Sequence, residues 1–126
     1  MRLPDRSDTG ALTLSYVIVF PAILLAILVI VQASLYYMAH TVALAAARRG
    51  ADVACEYDST NGAGATAALA LIAQDGSGLL AGQQAVATRT GTTVQVTVAG
   101  QAWSVLPGLP DSVSETVQQP IEQFVP

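Results

Sequence analysis

Few side chains in this 126-residue chain could take part in catalysis or hold a metal. There is one histidine, His40, and one cysteine, Cys55, so a Ser-His-Asp triad or a zinc site would have to form around a single imidazole. Three acids, Asp52, Glu56 and Asp58, lie close together, but their spacing is not that of a calcium loop. We therefore expect no catalytic residue, no metal and no cofactor, and interpret the acids as the solvated end of a helix.

The charge and hydropathy of the chain favour a membrane over a nucleic acid. Charged residues make up 11% and apolar residues 52% of the sequence, and the mean hydropathy is +0.51. All the basic residues are arginines, and the net charge is −4. A nucleic-acid binder needs a dense basic face, which this chain lacks. We expect no nucleic-acid partner and at most one folded domain.

An uncharged segment long enough to cross a bilayer lies near the start of the chain. Residues 9–47 carry no charge, and residues 16–31 are apolar throughout. A helix over residues 11–31 would be about 31 Å long, which matches the hydrocarbon thickness of a membrane. Pro21 lies inside it, and we expect a kink between Ser15 and Pro21, since neighbouring helices can satisfy the carbonyl that proline leaves unpaired. The segment predicts a transmembrane helix.

Cleavage as a secretory signal peptide is the alternative for this segment. Val31-Gln32-Ala33 fits a small-x-small cleavage site before Ser34. Against cleavage, the apolar block is longer than a typical signal-peptide core, and the helical pattern continues past the site. We therefore favour an anchor that is retained.

The helix is expected to continue beyond the lipid. Residues 32–54 contain no proline, and apolar residues recur there at three- and four-residue steps, namely Leu35, Met38 or Ala39, Val42, Ala46 and Val53. Tyr36 and Tyr37 lie where an aromatic belt would meet the lipid headgroups. The pattern predicts one helix of about 40 residues, roughly 60 Å long, of which half lies in lipid.

The rest of the chain predicts a small antiparallel sheet. Residues 58–64 have the composition of a loop, and residues 65–74 that of a short helix. Four segments have the pattern of strands: residues 84–89, 92–98, 101–106 and 112–118. The first two can pair through a turn at Thr90-Gly91, and the apolar stripe of the long helix can cover the valine face. The predicted fold class is α+β, with a short helix and three or four strands.

Several residues have a packing interpretation that we favour over a functional one. The small side chains of residues 43–47 would let another subunit approach, but close helix–sheet packing within the chain is favoured. Trp103 is expected to anchor the core or an edge, and His40 to be solvated or to face the sheet. For Cys55, an intermolecular disulfide is the functional alternative to a thiol half-buried under the sheet.

A polar leader with two arginines ends at Gly10, and the hydrophobic helix begins at Ala11. This layout resembles that of a prepilin. Glycine suits such a cleavage junction, because no side chain obstructs a peptidase that holds the backbone extended. An ordinary single-pass anchor with an accidental glycine is the alternative. The prepilin interpretation divides the chain into a leader over 1–10, a transmembrane helix over 11–31 and an extracytoplasmic region over 32–126.

The sequence from Asp8 to about Ala54 resembles the TadE-like family, the minor pilins or pseudopilins of tight-adherence (Flp) pilus systems. The resemblance rests on the junction sequence DTGALTL, the apolar block with Pro21 and the alanine-rich exit LYYMAHTVALAAARRGADVA. It implies a structural protein, not an enzyme, whose partners are other pilins, an assembly platform and a cytoplasmic ATPase. It also implies that a prepilin peptidase cleaves between Gly10 and Ala11.

One position departs from the family pattern. The family's glutamate, fifth after the junction, is Ser15 here. In pilins that carboxylate is thought to neutralise the amino terminus of a neighbouring subunit inside the apolar filament, where an unpaired charge is costly. Serine cannot neutralise an ammonium group, so the place of the chain in an assembly stays open between shaft, tip, base and helper.

The arginines indicate a topology for the chain. Arg2 and Arg6 precede the apolar segment, and Arg48 and Arg49 follow it at a greater distance. Because positive charges near a span tend to stay inside, we expect a single-pass cell-membrane protein with a cytoplasmic N-terminus and an extracytoplasmic C-terminal domain.

Two other function classes compete with a pilin. The first is a membrane-tethered extracytoplasmic binding module unrelated to pili. The second is a small hydrolase, against which stand the single histidine and the lack of a nucleophile motif. A gene neighbourhood without a secretion ATPase would favour the first, and a concave pocket with convergent polar groups would favour the second.

Overall fold

The computed structural model describes residues 7–56, 59–121 and 123. It contains five elements: α1 (Ser7–Cys55), α2 (Asn61–Asp75), β1 (Leu80–Thr90), β2 (Thr93–Ala102) and β3 (Ser112–Pro120). The strands form one antiparallel sheet in the order β1-β2-β3. The α+β fold expected from the sequence is therefore confirmed, with three strands.

Helix α1 is longer than the sequence pattern predicts. It has 49 residues, or about 73 Å, because it begins at Ser7, before the junction glycine, and ends at Cys55. Its apolar part is long enough to cross a membrane, and none of its most apolar window, of mean hydropathy 2.9, is buried. Pro21 lies within the helix, which continues past it. The expected kink stays a prediction.

The second half of α1, from Gln32 to Cys55, packs against α2 and the sheet through alanines. Six alanines of this half are buried: Ala39, Ala43, Ala46, Ala47, Ala51 and Ala54. The predicted packing of residues 43–47 within the chain is confirmed. The apolar stripe lies slightly differently from the prediction, because Ala39 is fully buried whereas Met38 is 49% exposed. Small side chains form the centre of this face because the sheet and α2 lie close to the helix backbone.

Helices α1 and α2 meet at two glycines. A Cβ atom on Gly50 would lie 2.7 Å from the carbonyl oxygen of Gly64, and a Cβ on Gly64 would lie 2.8 Å from the carbonyl oxygen of Gly50. Both distances are too short for a real contact, so this crossing requires glycine on both helices. Ala68 and Ile72 of α2 continue the contact into the core.

Helix α2 begins four residues before the predicted start. The Thr60 side chain accepts a hydrogen bond from the Ala63 amide, 3.3 Å away, and so caps the helix. The prediction of a loop over 58–64 is therefore wrong from Asn61 onward. The glycines of this stretch serve the approach to α1 rather than a turn.

The sheet covers the alanine face of α1 with valines from its central strand. Val94, Val96 and Val98 of β2 are fully buried, as is nearly all of Val113 of β3. The alternation that predicts β2 therefore identifies its inward face correctly.

The predicted third strand over residues 101–106 is wrong. β2 ends at Ala102, whose amide donates to the Asp111 carbonyl oxygen 2.6 Å away, and residues 103–110 form an irregular connection to β3. Two prolines and Gly108, whose φ is +87°, prevent a strand there. Trp103 does not anchor the core, because its side chain is 63% exposed.

Candidate functional site: the apolar helix and the loop beside it

The first half of α1 exposes a continuous apolar surface. Its large side chains from Leu12 to Val31 are mostly exposed, between 41% for Val31 and 73% for Tyr16. A soluble monomer rarely exposes so large a contiguous apolar patch. This surface requires an apolar environment, which a bilayer or the helices of other subunits can supply.

Strand β3 runs in the same direction as α1, away from the apolar segment. The Tyr36 hydroxyl donates to the Ser112 carbonyl oxygen at 3.3 Å, and the Gln119 side-chain amide donates to Asp52 Oδ1 at 3.0 Å. Residue numbers therefore increase together along the helix and the strand. It follows that the connection between β2 and β3 lies at the end of the domain nearest the apolar segment, and the turn between β1 and β2 at the far end.

His40 joins the helix to this strand. Its Nδ1 lies 2.5 Å from Glu115 Oε1, and its ring packs edge-on against Tyr36 with centroids 4.7 Å apart. The expectation that His40 is solvated or faces the sheet is confirmed on the second count. The contact fixes β3 on α1 just beyond the apolar segment.

Cys55 lies at the outer end of α1 and is more buried than expected. Its side chain is 5% exposed, and its thiol donates to Gln119 Oε1 at 3.5 Å. The same Gln119 amide donates to Asp52, so one side chain joins the end of β3 to the end of the helix. The disulfide with another subunit stays a prediction, and it would require this end of the domain to open.

The acids near Cys55 give no sign of a metal site in the part of the chain that the structure describes. Asp52 and Glu56 are exposed, and Asp58 lies outside the described residues. Across residues 7–56, 59–121 and 123, no group of three or more His, Cys, Asp or Glu side chains could hold a metal ion.

Gln32 holds the loop over residues 103–110 that connects β2 to β3, and sequence reasoning missed this role. Its side chain is 4% exposed, and its Oε1 accepts from the backbone amides of Val105 at 2.7 Å and Leu106 at 3.4 Å. Its Nε2 is buried without a hydrogen-bond partner. A lone polar residue at the end of an apolar segment is the signal that could have revealed it, since burying an amide is costly unless it is hydrogen-bonded.

An apolar groove lies between this loop and α1. It has a volume of about 290 Å³ and is lined by Val29, Gln32, Ala33, Tyr36, Leu109 and Pro110. The groove therefore extends from the last turn of the apolar segment to the first turn beyond it.

The predicted processing residues lie far from this groove. Gly10 and Ala11 are exposed near the start of α1, and a Cβ on Gly10 would have no heavy atom within 4 Å. Ser15, at the position of the family glutamate, is also exposed on α1. Because the junction is helical, the first turn would have to unwind before a peptidase could hold it extended. Helix ends fray readily, so this opening is a small step.

Comparison with known proteins connects the helix to one family. No curated protein and no solved structure is similar enough to match the chain. A family model described as TadE-like protein matches residues 10–52, about a third of the chain. The match begins at the junction glycine and ends within α1, so it covers the apolar segment and its continuation but not the sheet. The resemblance seen in the sequence is thereby confirmed: residues 10–52 are similar to the TadE-like family.

Proposed function

We propose that this protein is a minor pilin or pilus-assembly component of a tight-adherence (Flp) pilus system. One observation carries the proposal: a single helix exposes apolar side chains over its first half and forms the spine of a sheet domain over its second half. The TadE-like match over this same helix supports it. The role is structural rather than catalytic.

The two halves of α1 have different tasks in this proposal. Residues 11–31 anchor the chain in the cell membrane and contact other pilins or the assembly platform. The domain over residues 32–126 lies outside the cytoplasm and presents a surface for recognition. The N-terminus lies in the cytoplasm, where the assembly ATPase acts. Ser15 favours a place at a tip, at a base or as a helper over a place in the shaft.

A photo-crosslinking amino acid at Leu25 tests this function. Leu25 is 57% exposed on the apolar segment, so a probe there faces whatever surrounds the helix. In the native host, we expect the probe to capture a pilin or an assembly-platform protein, identified by mass spectrometry. The matched control is the same probe in cells that lack the pilus genes, where these products should be absent.

Capture of lipid alone at Leu25 would contradict the pilin proposal. That result, in cells that assemble pili, would favour the membrane-tethered binding module instead. A product with an envelope protein unrelated to pili would favour the same alternative.

Processing between Gly10 and Ala11 is a separate proposal with its own test. We expect the intact mass of the protein from its native host to lack residues 1–10, and Gly10→Val to retain them. Valine fits the fold, since nothing lies within 4 Å of its Cβ, but it would obstruct the peptidase. Leu14→Val, a conservative change beyond the junction, should still be shortened. A wild-type chain of full length would overturn the processing step and leave the anchor unaffected.

A further inference from the structure

We propose that residues 103–110 form a second membrane contact, which places Trp103, Val105 and Leu109 in the lipid interface beside α1. The inference rests on the membrane anchoring in the proposed function, and it goes beyond it by assigning the loop a lipid partner. It does not depend on a pilus.

The position of the loop along α1 is fixed by Gln32. This residue directly follows the segment 11–31, and its Oε1 accepts from two loop amides, those of Val105 and Leu106. Leu109 and Pro110 lie still closer to the middle of the apolar segment, because they share a groove with Val29 in its last turn. If residues 11–31 cross the hydrocarbon, the loop must lie at the boundary between hydrocarbon and headgroups.

The composition of the loop suits that depth. Residues 103–110, WSVLPGLP, carry no charge. Three apolar side chains point away from the protein, with Trp103 63%, Leu109 44% and Val105 41% exposed. Tryptophan is enriched at membrane interfaces because its ring is apolar and its indole N–H is a hydrogen-bond donor. Exposure of these side chains to water would be unfavourable, whereas contact with lipid is not.

The groove between the loop and α1 offers a binding site for a lipid. Its walls are mainly apolar, and Val29, Leu109 and Pro110 offer a surface for part of an acyl chain. Gln32 lines the same groove, and its amide nitrogen Nε2 is buried without a hydrogen-bond partner in the described protein. An unpaired donor beside the groove favours a ligand that carries acceptors. The ester carbonyl oxygens of a glycerolipid are such acceptors and lie at the edge of the hydrocarbon.

Fluorescence quenching of Trp103 tests the contact directly, since it is the single tryptophan of the chain. The full-length protein is reconstituted at a high lipid-to-protein ratio in phosphatidylcholine vesicles, with or without bromine on the upper part of the acyl chains. We expect brominated lipid to quench Trp103 strongly and aqueous acrylamide to quench it weakly.

The matched control moves the tryptophan to Val86 in a Trp103→Phe background. Val86 is 61% exposed on β1, almost as much as Trp103, but it lies opposite Thr97, further from the apolar segment. We expect Val86→Trp to be quenched several-fold more by acrylamide than Trp103, and not at all by brominated lipid.

A third tryptophan separates failure of this inference from failure of the anchor. Phe20→Trp, again with Trp103→Phe, reports on the apolar segment itself. If lipid quenches it but acrylamide quenches Trp103 and Val86→Trp equally, the second contact is overturned and the anchor stands. If lipid does not quench Phe20→Trp, the anchor and the inference fall together. If Trp103 is shielded from both quenchers, another protein copy covers the loop, and the lipid assignment is wrong.

Discussion

Arginine at both Phe20 and Leu24 is expected to remove the protein from the membrane. The two side chains lie one helical turn apart near the centre of the apolar segment, and they are 70% and 49% exposed. An arginine at the centre of a spanning helix opposes insertion by about 2.5–3.5 kcal/mol, so two oppose it by about 5–7 kcal/mol. This corresponds to a change of at least roughly a thousandfold in the partition between membrane and water.

Alkaline carbonate extraction of cell membranes measures this change. The wild-type chain should stay in the pellet, and the double arginine variant should be lost from it. Phe20→Ala with Leu24→Ala serves as the control, because it shortens the same side chains without adding charge. Carbonate also strips contacts at the membrane surface, so the loop at residues 103–110 alone would not retain the chain. An arginine variant that resists extraction would contradict a membrane-spanning α1.

Gly50→Val is expected to have the largest effect on the stability of the domain. Its Cβ would lie 2.7 Å from the Gly64 carbonyl oxygen and 3.1 Å from Val96 Cγ1. The first of these is a backbone atom in the facing helix, so a rotamer change cannot relieve the clash. Overpacking of this kind costs about 1–3 kcal/mol, and we expect a value near the upper limit. For a small domain, that is a large part of the free energy of unfolding.

The loss of free energy of unfolding is measured by denaturant unfolding of the full chain in detergent micelles. Amide hydrogen exchange in β2 reports the unfolding. Gly62→Ala is the matched control, since Gly62 lies in α2 with no heavy atom within 4 Å of an added Cβ. Gly62 is the second residue of α2, where the helical preference of alanine over glycine has little effect, so the stability of this variant should stay close to that of the wild type. Equal stability of the two variants would show that α1 and α2 are not in close contact at Gly50.

Strong periodicity made most of the fold predictable from the sequence. The uncharged run before Ala47 and the alternation over residues 92–98 each fit one type of element, so α1 and the centre of β2 were predicted. The failures occurred where tertiary contacts outweigh local composition. Asn61 begins a helix because α1 packs against that glycine-rich segment. Residues 101–106 look like a strand by composition, but β2 ends at Ala102, and Gln32 and the two prolines that follow favour a loop from residue 103 onward.

The candidate site was predictable in its helix but not in its loop. The mean hydropathy along the sequence identifies the apolar segment of α1 directly. The contact of Gln32 with Val105 and Leu106 joins a side chain to backbone amides far along the chain, and such a bond leaves no pattern of residue types. The apolar neighbours of Trp103 favour an anchor in the core or at an edge, whereas its 63% exposure is set by how the loop meets α1.

The absence of any proline in α1 after Pro21 has a mechanical consequence. From Ala22 to Cys55 no proline interrupts the helix, and its second half packs against the sheet along the alanine face. A twist of the helix in the bilayer must turn the sheet through the same angle, and a pull on the sheet must travel along the helix axis. Subunits that contact the helix within the lipid would therefore set the orientation of the sheet domain about the helix axis.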